Sequence, residues 1–368
     1  MYIYENKDWP NFTWNKEIIS NLLCEVKRSQ GYLLGKMENL GFDVKNQASL
    51  QILTETVIKS SEIEGEIFNA SQVRSSVARK LGIKDESVHC NDKNIDGAVE
   101  IIIDAVRHYN KAITAERLFC WHAALFPTGY SGMYKVEVGH YRTDFLGRMQ
   151  IISGYLGRER IHYEAPKASY INYEMNKFLN YLNDDKQIDH LIKAAIIHLW
   201  FVTIHPFEDG NGRIVRALTE TILAKSDNCK FRFYSIASQI MDCRKEYYDI
   251  LEKTQKGSMN ITDWIAWFLQ NVQNAILASE ATLANIINAY KFWQKNMNIE
   301  FNNRQKIVLK KLLDNFIGNL TSSKWAKLCK CSQDTASRDL NDLIKKKILR
   351  KVGQAKNTHY VLMSQNEF

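Results

Sequence analysis

The chain has little of what breaks helices: 4 prolines and 17 glycines in 368 residues, so long helices should dominate. Its seven cysteines are scattered and odd in number, which excludes a disulfide framework as the main scaffold. Cys329 and Cys331 form a CxC pair with no second pair or His cluster nearby, and read as buried thiols rather than metal ligands. No apolar run is long enough to span a bilayer. The opening MYIYENKDWPNFTW has neither the basic start nor the apolar centre of a secretory signal. These absences point to a reducing, cytoplasmic setting with no membrane partner. What is present, 45% hydrophobic and 11% aromatic residues, is enough for a globular protein of two or three domains.

The net charge of +8 is not spread evenly. Between Arg304 and Leu362 there are 14 Lys/Arg against 4 Asp, a net of +10, leaving 35 basic and 37 acidic residues, a net of −2, for the rest. The same stretch reads as three helices, Arg304–Phe316, Ser322–Leu328 and Gln333–Lys346, followed by two strands, Ile348–Val352 and His359–Leu362. That order resembles a winged helix–turn–helix, whose third helix would present Gln333, Asp334, Thr335, Ser337 and Arg338. DNA, bound through residues 304–362, is one partner this admits; a protein-binding or dimerising module, and with it a homodimer, is the other.

Upstream, apolar residues recur at helical spacing over about Trp14–Asn39, Ser49–Ser61, Asn94–Tyr109, Ala115–Phe126, Ala168–Leu182, Ile188–Ile204, Cys243–Gln255 and Ile261–Asn296. Lys45–Gln47 fits a polar break and Lys84–Asp92 a loop. Only Tyr130–Pro166 favours strand: Met149-Gln150-Ile151-Ile152 and Arg160–Tyr163 alternate around the glycine-containing SGYLGRE, a β-hairpin pattern.

The most informative run is HPFEDGNGRIVR, His205 to Arg216, placed between two helical segments. Glycines at a helix N-terminus let backbone N–H groups face an anion. A His beside them offers a base near neutral pH, and an acid offers a ligand for a divalent cation. Base, metal ligand and phosphate cradle therefore coincide in one loop, which a plain turn would not need.

This string resembles the Fic family signature HxFx(D/E)GNGRxxR at every specified position: His205, Phe207, Asp209, Gly210, Asn211, Gly212, Arg213 and Arg216. The resemblance implies a mainly α fold: a Fic helical bundle with a β-hairpin flap, an N-terminal helical domain and a C-terminal winged helix–turn–helix, divided at about 1–92, 93–298 and 299–368. It also implies transfer of AMP from ATP to a Ser, Thr or Tyr hydroxyl of a target protein, the enzyme itself among the targets, with Mg²⁺ as cofactor. On that reading His205 is the catalytic base and Asp209 the metal ligand. Gly210, Asn211 and Gly212 cradle the phosphates, Arg213 faces the pyrophosphate, and Arg216 reaches the γ-phosphate. Phe207 anchors the loop, Glu208 faces solvent, and His198 and Trp200 are scaffold. The hairpin becomes a flap whose strand edge, Met149, Gln150, Ile151, Ile152 and Ser153, pairs with an extended target segment, or else a structural hairpin. His140 and His162 are taken as structural.

Further upstream, Ser60-Ser61-Glu62-Ile63-Glu64-Gly65 resembles the family's inhibitory signature (S/T)xxxE(G/N), carried by Ser60, Glu64 and Gly65. The implied role is an ion pair from Glu64 to Arg216 that takes the γ-phosphate's partner and leaves ATP in an unproductive pose. Three alternatives stay open: a DNA-binding regulator with a nucleotide-sensing Fic domain, a Fic enzyme using another phosphate donor, and one that removes AMP.

Overall fold

Capping side chains set the start of the N-terminal helices in the computed structural model, which describes residues 1–83, 92–145, 147–153, 160–184, 188–313, 316, 318–354 and 357–363. Asn15 accepts from the Glu17 and Ile18 amides and opens α1 (Lys16–Glu38). Gly41 precedes α2 (Phe42–Ile63). Asn69 caps α3 (Ala70–Leu81), Asp92 caps α4 (Lys93–Arg107) and Thr114 caps α5 (Ala115–Leu125). The polar break expected at Lys45–Gln47 is absent: α2 runs straight through it, with Val44 and Ala48 buried on either side. The chain turns instead at Leu40-Gly41, and α3 is an addition to the sequence reading. Most of the loop expected over Lys84–Asp92 and the hairpin tip at 154–159 lie outside the described residues.

Two short antiparallel hairpins follow, β1 (Tyr130–Ser131) with β2 (Tyr134–Lys135), and β3 (Gln150–Ser153) with β4 (Arg160–Glu164). In the second, Ile151 pairs with Tyr163 but Ile152 pairs with Ile161, so His162 is an extra residue in β4. The chain returns to helix with α6 (Ala168–Asn183), α7 (His190–Ile204), α8 (Asn211–Asp227), α9 (Ile236–Asp242), α10 (Arg244–Gln255) and α11 (Thr262–Lys295).

Helix α7 is apolar on every side, and every residue from Leu191 to Ile204 is buried. Such a helix can only be stable at the centre of a fold, where each large side chain of the set contributes about 1.5–3 kcal/mol. Trp200 meets Trp9, Phe12 and Phe178 edge-on, tying the aromatic N-terminus to α7. His198 is fully buried and satisfied, with Nδ1 3.0 Å from Thr219 Oγ1 and Nε2 3.0 Å from the Tyr247 hydroxyl. The chain divides into two compact units, Met1–Glu280 and Ala281–Phe368.

In the second unit, α12 (Asn303–Leu313), α13 (Ser322–Cys329) and α14 (Gln333–Lys345) are followed by an antiparallel hairpin, β5 (Leu349–Val352) with β6 (His359–Leu362). Val308, Leu309, Trp325, Leu340, Leu343 and Leu349 form its core. Cys329 and Cys331 pack against this core but are only partly buried, less than the sequence reading expected. Among the described residues the cysteines are free, no group of three or more His, Cys, Asp or Glu is placed to hold a metal, and no helix is long and apolar enough to cross a membrane.

Candidate active site

Where α7 ends, His205 takes the left-handed conformation, φ 52°, ψ 59°. A non-glycine residue adopts this only when its surroundings impose it. Buried Arg142 does so: its Nε donates to the His205 carbonyl at 2.8 Å, and its amide donates to the Pro206 carbonyl at 2.8 Å. The same guanidinium reaches Pro166 O and Asp144 Oδ1, each at 2.6 Å. Phe207 is buried and stacks on His122 with centroids 4.3 Å apart. Asn211 closes the loop by accepting from the Phe207 amide at 3.0 Å and donating to its carbonyl at 2.7 Å. Both ends of that side chain are thereby committed, so what Asn211 can offer a phosphate is its main-chain N–H.

Gly210 caps α8 at φ 80°. A Cβ there would lie 3.0 Å from the Phe126 ring, and the αL backbone would be strained as well. Gly212 is needed for closeness: a Cβ would stand 2.0 Å from Glu64 Oε1. The Glu64 carboxylate thus sits at the N-terminus of α8, where the helix dipole and free amides favour an anion.

Helix α2 ends in a pattern that explains the spelling of SSEIEGE. Gly65 is left-handed at φ 87°; its amide donates to Glu62 O, and the Glu66 amide donates back to Ser61 O. This is a Schellman termination, in which glycine takes the left-handed place. Glu64 is the cap residue, one position past the last helical residue, and Ser60 lies within the last turn, so both face Arg216. That arginine, 1% exposed, donates from Nε to Ser60 Oγ at 2.8 Å and from Nη2 to Ser60 O at 2.7 Å; Nη2 also lies 2.8 Å from Glu64 Oε1. Beyond Gly65, Glu66 Oε2 accepts from Arg213 Nη1 at 2.8 Å, while Arg213 lies over the Phe126 ring. Both arginines of the loop are therefore held by acids flanking one glycine.

Asp209 is half-buried; its Oδ2 accepts from Ser131 Oγ at 2.6 Å and its Oδ1 from the Gly210 amide at 2.5 Å. Its carbonyl lies 3.2 Å from His122 Nε2, whose other ring nitrogen accepts from Gly139 N at 3.3 Å. Burial pushes the His122 pKa down to about 4, consistent with a neutral ring that donates at one end and accepts at the other. Glu208 is half-exposed and accepts from the Glu137 amide at 3.1 Å.

His205 keeps a partly exposed edge. Burial of the rest of the ring, followed by the charge of Arg142, holds its pKa down to about 4, so it is neutral near pH 7. Nδ1 faces Val202 O at 3.4 Å. Only a protonated Nδ1 can donate there, which leaves Nε2 with a lone pair. A cavity of about 470 Å³, lined by Glu64, His205, Gly212, Ile151, Tyr247 and Leu251 among others, opens at this edge. That volume falls within the range of small-molecule sites. The flap residues Ile151, Ile152 and Ser153 line it; Met149 and Gln150 stand before them, where Gln150 donates to Glu164 at 2.8 Å.

Sequence reading did not find Arg142, Ser131, His122 or Glu66, whose partners lie 63 to 147 residues away. His162 lines the cavity as well. For Glu66 a signal existed: an acid directly after a helix-ending glycine shares the geometry of the acid before it.

The sequence profile of the Fic/DOC family matches residues 112–223, and that of a domain of unknown function, DUF4172, matches residues 2–83. The chain is 26% identical over 228 residues to Protein adenylyltransferase Fic of Nematostella vectensis, covering 61% of this chain and 48% of that protein. To Protein adenylyltransferase fic-1 of Caenorhabditis elegans it is 24% identical over 231 residues, covering 62% and 42%. The chain spans about half or less of the length of these relatives. Among solved structures, a Fic family protein from Desulfovibrio desulfuricans G20 shares the fold, with a TM-score of 0.56, 19% identity, and coverage of 98% of this chain and 99% of that one. The Fic/DOC family profile falls on the segment that carries the α7–α8 loop and its two arginines, so residues 112–223 form a Fic/DOC domain.

Proposed function

We propose that this protein is an autoinhibited protein AMP-transferase, moving AMP from ATP to a hydroxyl of a target protein. The observation that carries this is the grip of Ser60 and Glu64 on Arg216, with Glu64 lining the same cavity as the His205 edge. Phosphoryl-type transfer needs a way to deprotonate the nucleophile, fixed geometry and cancellation of charge. Neutral His205 supplies the first, with Nε2 taking the hydroxyl proton. The Gly210–Gly212 backbone at the α8 N-terminus supplies an anion cradle. Arg213 offsets charge on the departing pyrophosphate, and Arg216, once free, takes the γ-phosphate.

Asp209 is the residue that would hold Mg²⁺. One half-exposed carboxylate, with no metal-binding cluster among the described residues, suits an ion bound by one or two carboxylates, waters and substrate phosphates. Bound there, Mg²⁺ would neutralise phosphate charge. Glu64 and the γ-phosphate are both anions competing for Arg216, so whatever withdraws Glu64 shifts the population toward productive ATP binding. The free cysteines suit a cytoplasmic location.

Glu64→Gly should raise ATP-dependent labelling of an added target protein at least tenfold, and adding His205→Ala should abolish it. If the Glu64 variant stays silent with ATP while another nucleotide donor labels, the AMP assignment fails.

The basic second unit favours one further reading, a winged helix–turn–helix that binds DNA. Residues 304–362 carry a net +10, and Gln333, Asp334 and Arg338 of α14 are exposed. Duplex DNA affinity of the whole chain should then fall steeply with salt; a flat response sinks this reading.

A further inference from the structure

Three side chains on the cavity wall form a relay outside the HPFEDGNGRIVR loop. Ser153 Oγ lies 2.5 Å from His162 Nε2, and His162 Nδ1 lies 2.6 Å from Glu252 Oε2. All three line the cavity shared with His205 and Gly212. This is the order of contacts that activates a serine: acid to one ring nitrogen, hydroxyl to the other. The carboxylate fixes the tautomer, because Nδ1 donates to Glu252 and Nε2 is left to accept from Ser153. Two further observations support a functional origin. His162 is the extra residue of the β3–β4 bulge, a device that re-aims a side chain beside a site. Glu252 also accepts from Arg160 Nη2 at 2.9 Å and Lys256 Nζ at 2.7 Å. Although burial opposes it, the hydrogen bonds from Lys256, His162 and Arg160 hold its carboxyl down to about 2. Glu252 is thus a permanent anion facing the ring.

We infer that Ser153 is an acceptor hydroxyl of this protein, adenylylated by its own active site, with His162 as the local base and Glu252 as its orienting anion. The inference rests on the AMP-transfer reading and names one of its acceptors. In the step, a bond forms between Ser153 Oγ and the α-phosphorus of ATP, and the bond from that phosphorus to the bridging oxygen of the β-phosphate breaks. Pyrophosphate leaves, and the Oγ proton passes to His162 Nε2. Serine and phosphate cradle face one cavity, so no target need dock.

The test incubates the full-length Glu64→Gly protein with ATP and Mg²⁺, digests it with trypsin and maps the added adenylyl group by fragment ions. The peptide Met149–Arg158 contains both Ser153 and Tyr155, so fragmentation must place the group. The expected result is modification at Ser153, lost in Ser153→Ala, retained in Ser153→Thr and slowed at least tenfold in His162→Gln. Ser153 is exposed, so its substitution leaves folding intact, which circular dichroism checks. Modification at other residues only, with a rate unchanged by Ser153→Ala, overturns this inference and leaves AMP transfer standing. Absence of label on the protein and on any added protein substrate overturns both.

Discussion

Arg216 is a buried cation with two competing sets of partners, and its present set is complete: a hydroxyl, a carbonyl and a carboxylate. Removing the hydroxyl has a different consequence from removing the charge. Ser60→Ala leaves Arg216 Nε without its partner, a loss of about 1–3 kcal/mol, visible as a lower Tm. It should raise AMP labelling less than Glu64→Gly does, because the competing carboxylate stays. The base makes a separate prediction. His205, neutral with its pKa lowered to about 4, should keep kcat/KM level as pH falls past 6, with the acid limb only near 4, measured in the Glu64→Gly background. A limb centred near 6.5 would mean that the ring is not the buried group seen here. Asn211→Ala removes both hydrogen bonds to the Phe207 backbone and should cost about 2–3 kcal/mol of stability in urea titration.

At the scale of elements, the switch is the end of α2. Gly65 holds φ 87° with no Cβ clash, so Gly65→Ala is opposed by backbone strain alone, about 1 kcal/mol. That strain acts on Glu64 and Glu66 together, loosening Arg216 and Arg213 at once, and labelling should rise without loss of fold. This device was half legible in the sequence. SSEIEG and the α7–α8 loop are local strings whose chemistry survives without knowledge of the fold. What could not be read was tertiary: Arg142 holds the His205 carbonyl from 63 residues away, and Ser131 reaches Asp209 from 78. The place of His162 on the cavity wall was not legible because a bulge changes which face a strand residue occupies, and alternation alone does not reveal an extra residue. The break at Lys45–Gln47 failed for a simpler reason. Three polar residues occupy less than one helical turn, which α2 can turn outward, whereas Gly41 lacks the side chain that would favour continuing.

For the molecule as a whole, three histidines whose pKa values are lowered set an acid limit. His122 and His205 are pushed down to about 4 and His198 to about 3, each first by burial. An unfolded histidine titrates near 6.5, so between there and the folded values the unfolded chain binds protons that the native chain refuses. Stability is therefore full above about 6.5 and falls as pH drops through the folded values, by up to about 1.4 kcal/mol per pH unit for each ring. Thermal denaturation followed from pH 7 to pH 4 should show a steep decline in Tm, and His198→Gln should lessen it. The central claim is that one chain carries both a nucleotide-transfer site and the acid that closes it. Its most direct measurement is the intact mass of the wild-type and Glu64→Gly proteins after incubation with ATP and Mg²⁺. The account predicts adenylyl groups on the variant and almost none on the wild type. Equal masses with no label on an added protein substrate, or equal labelling of the two, would contradict it.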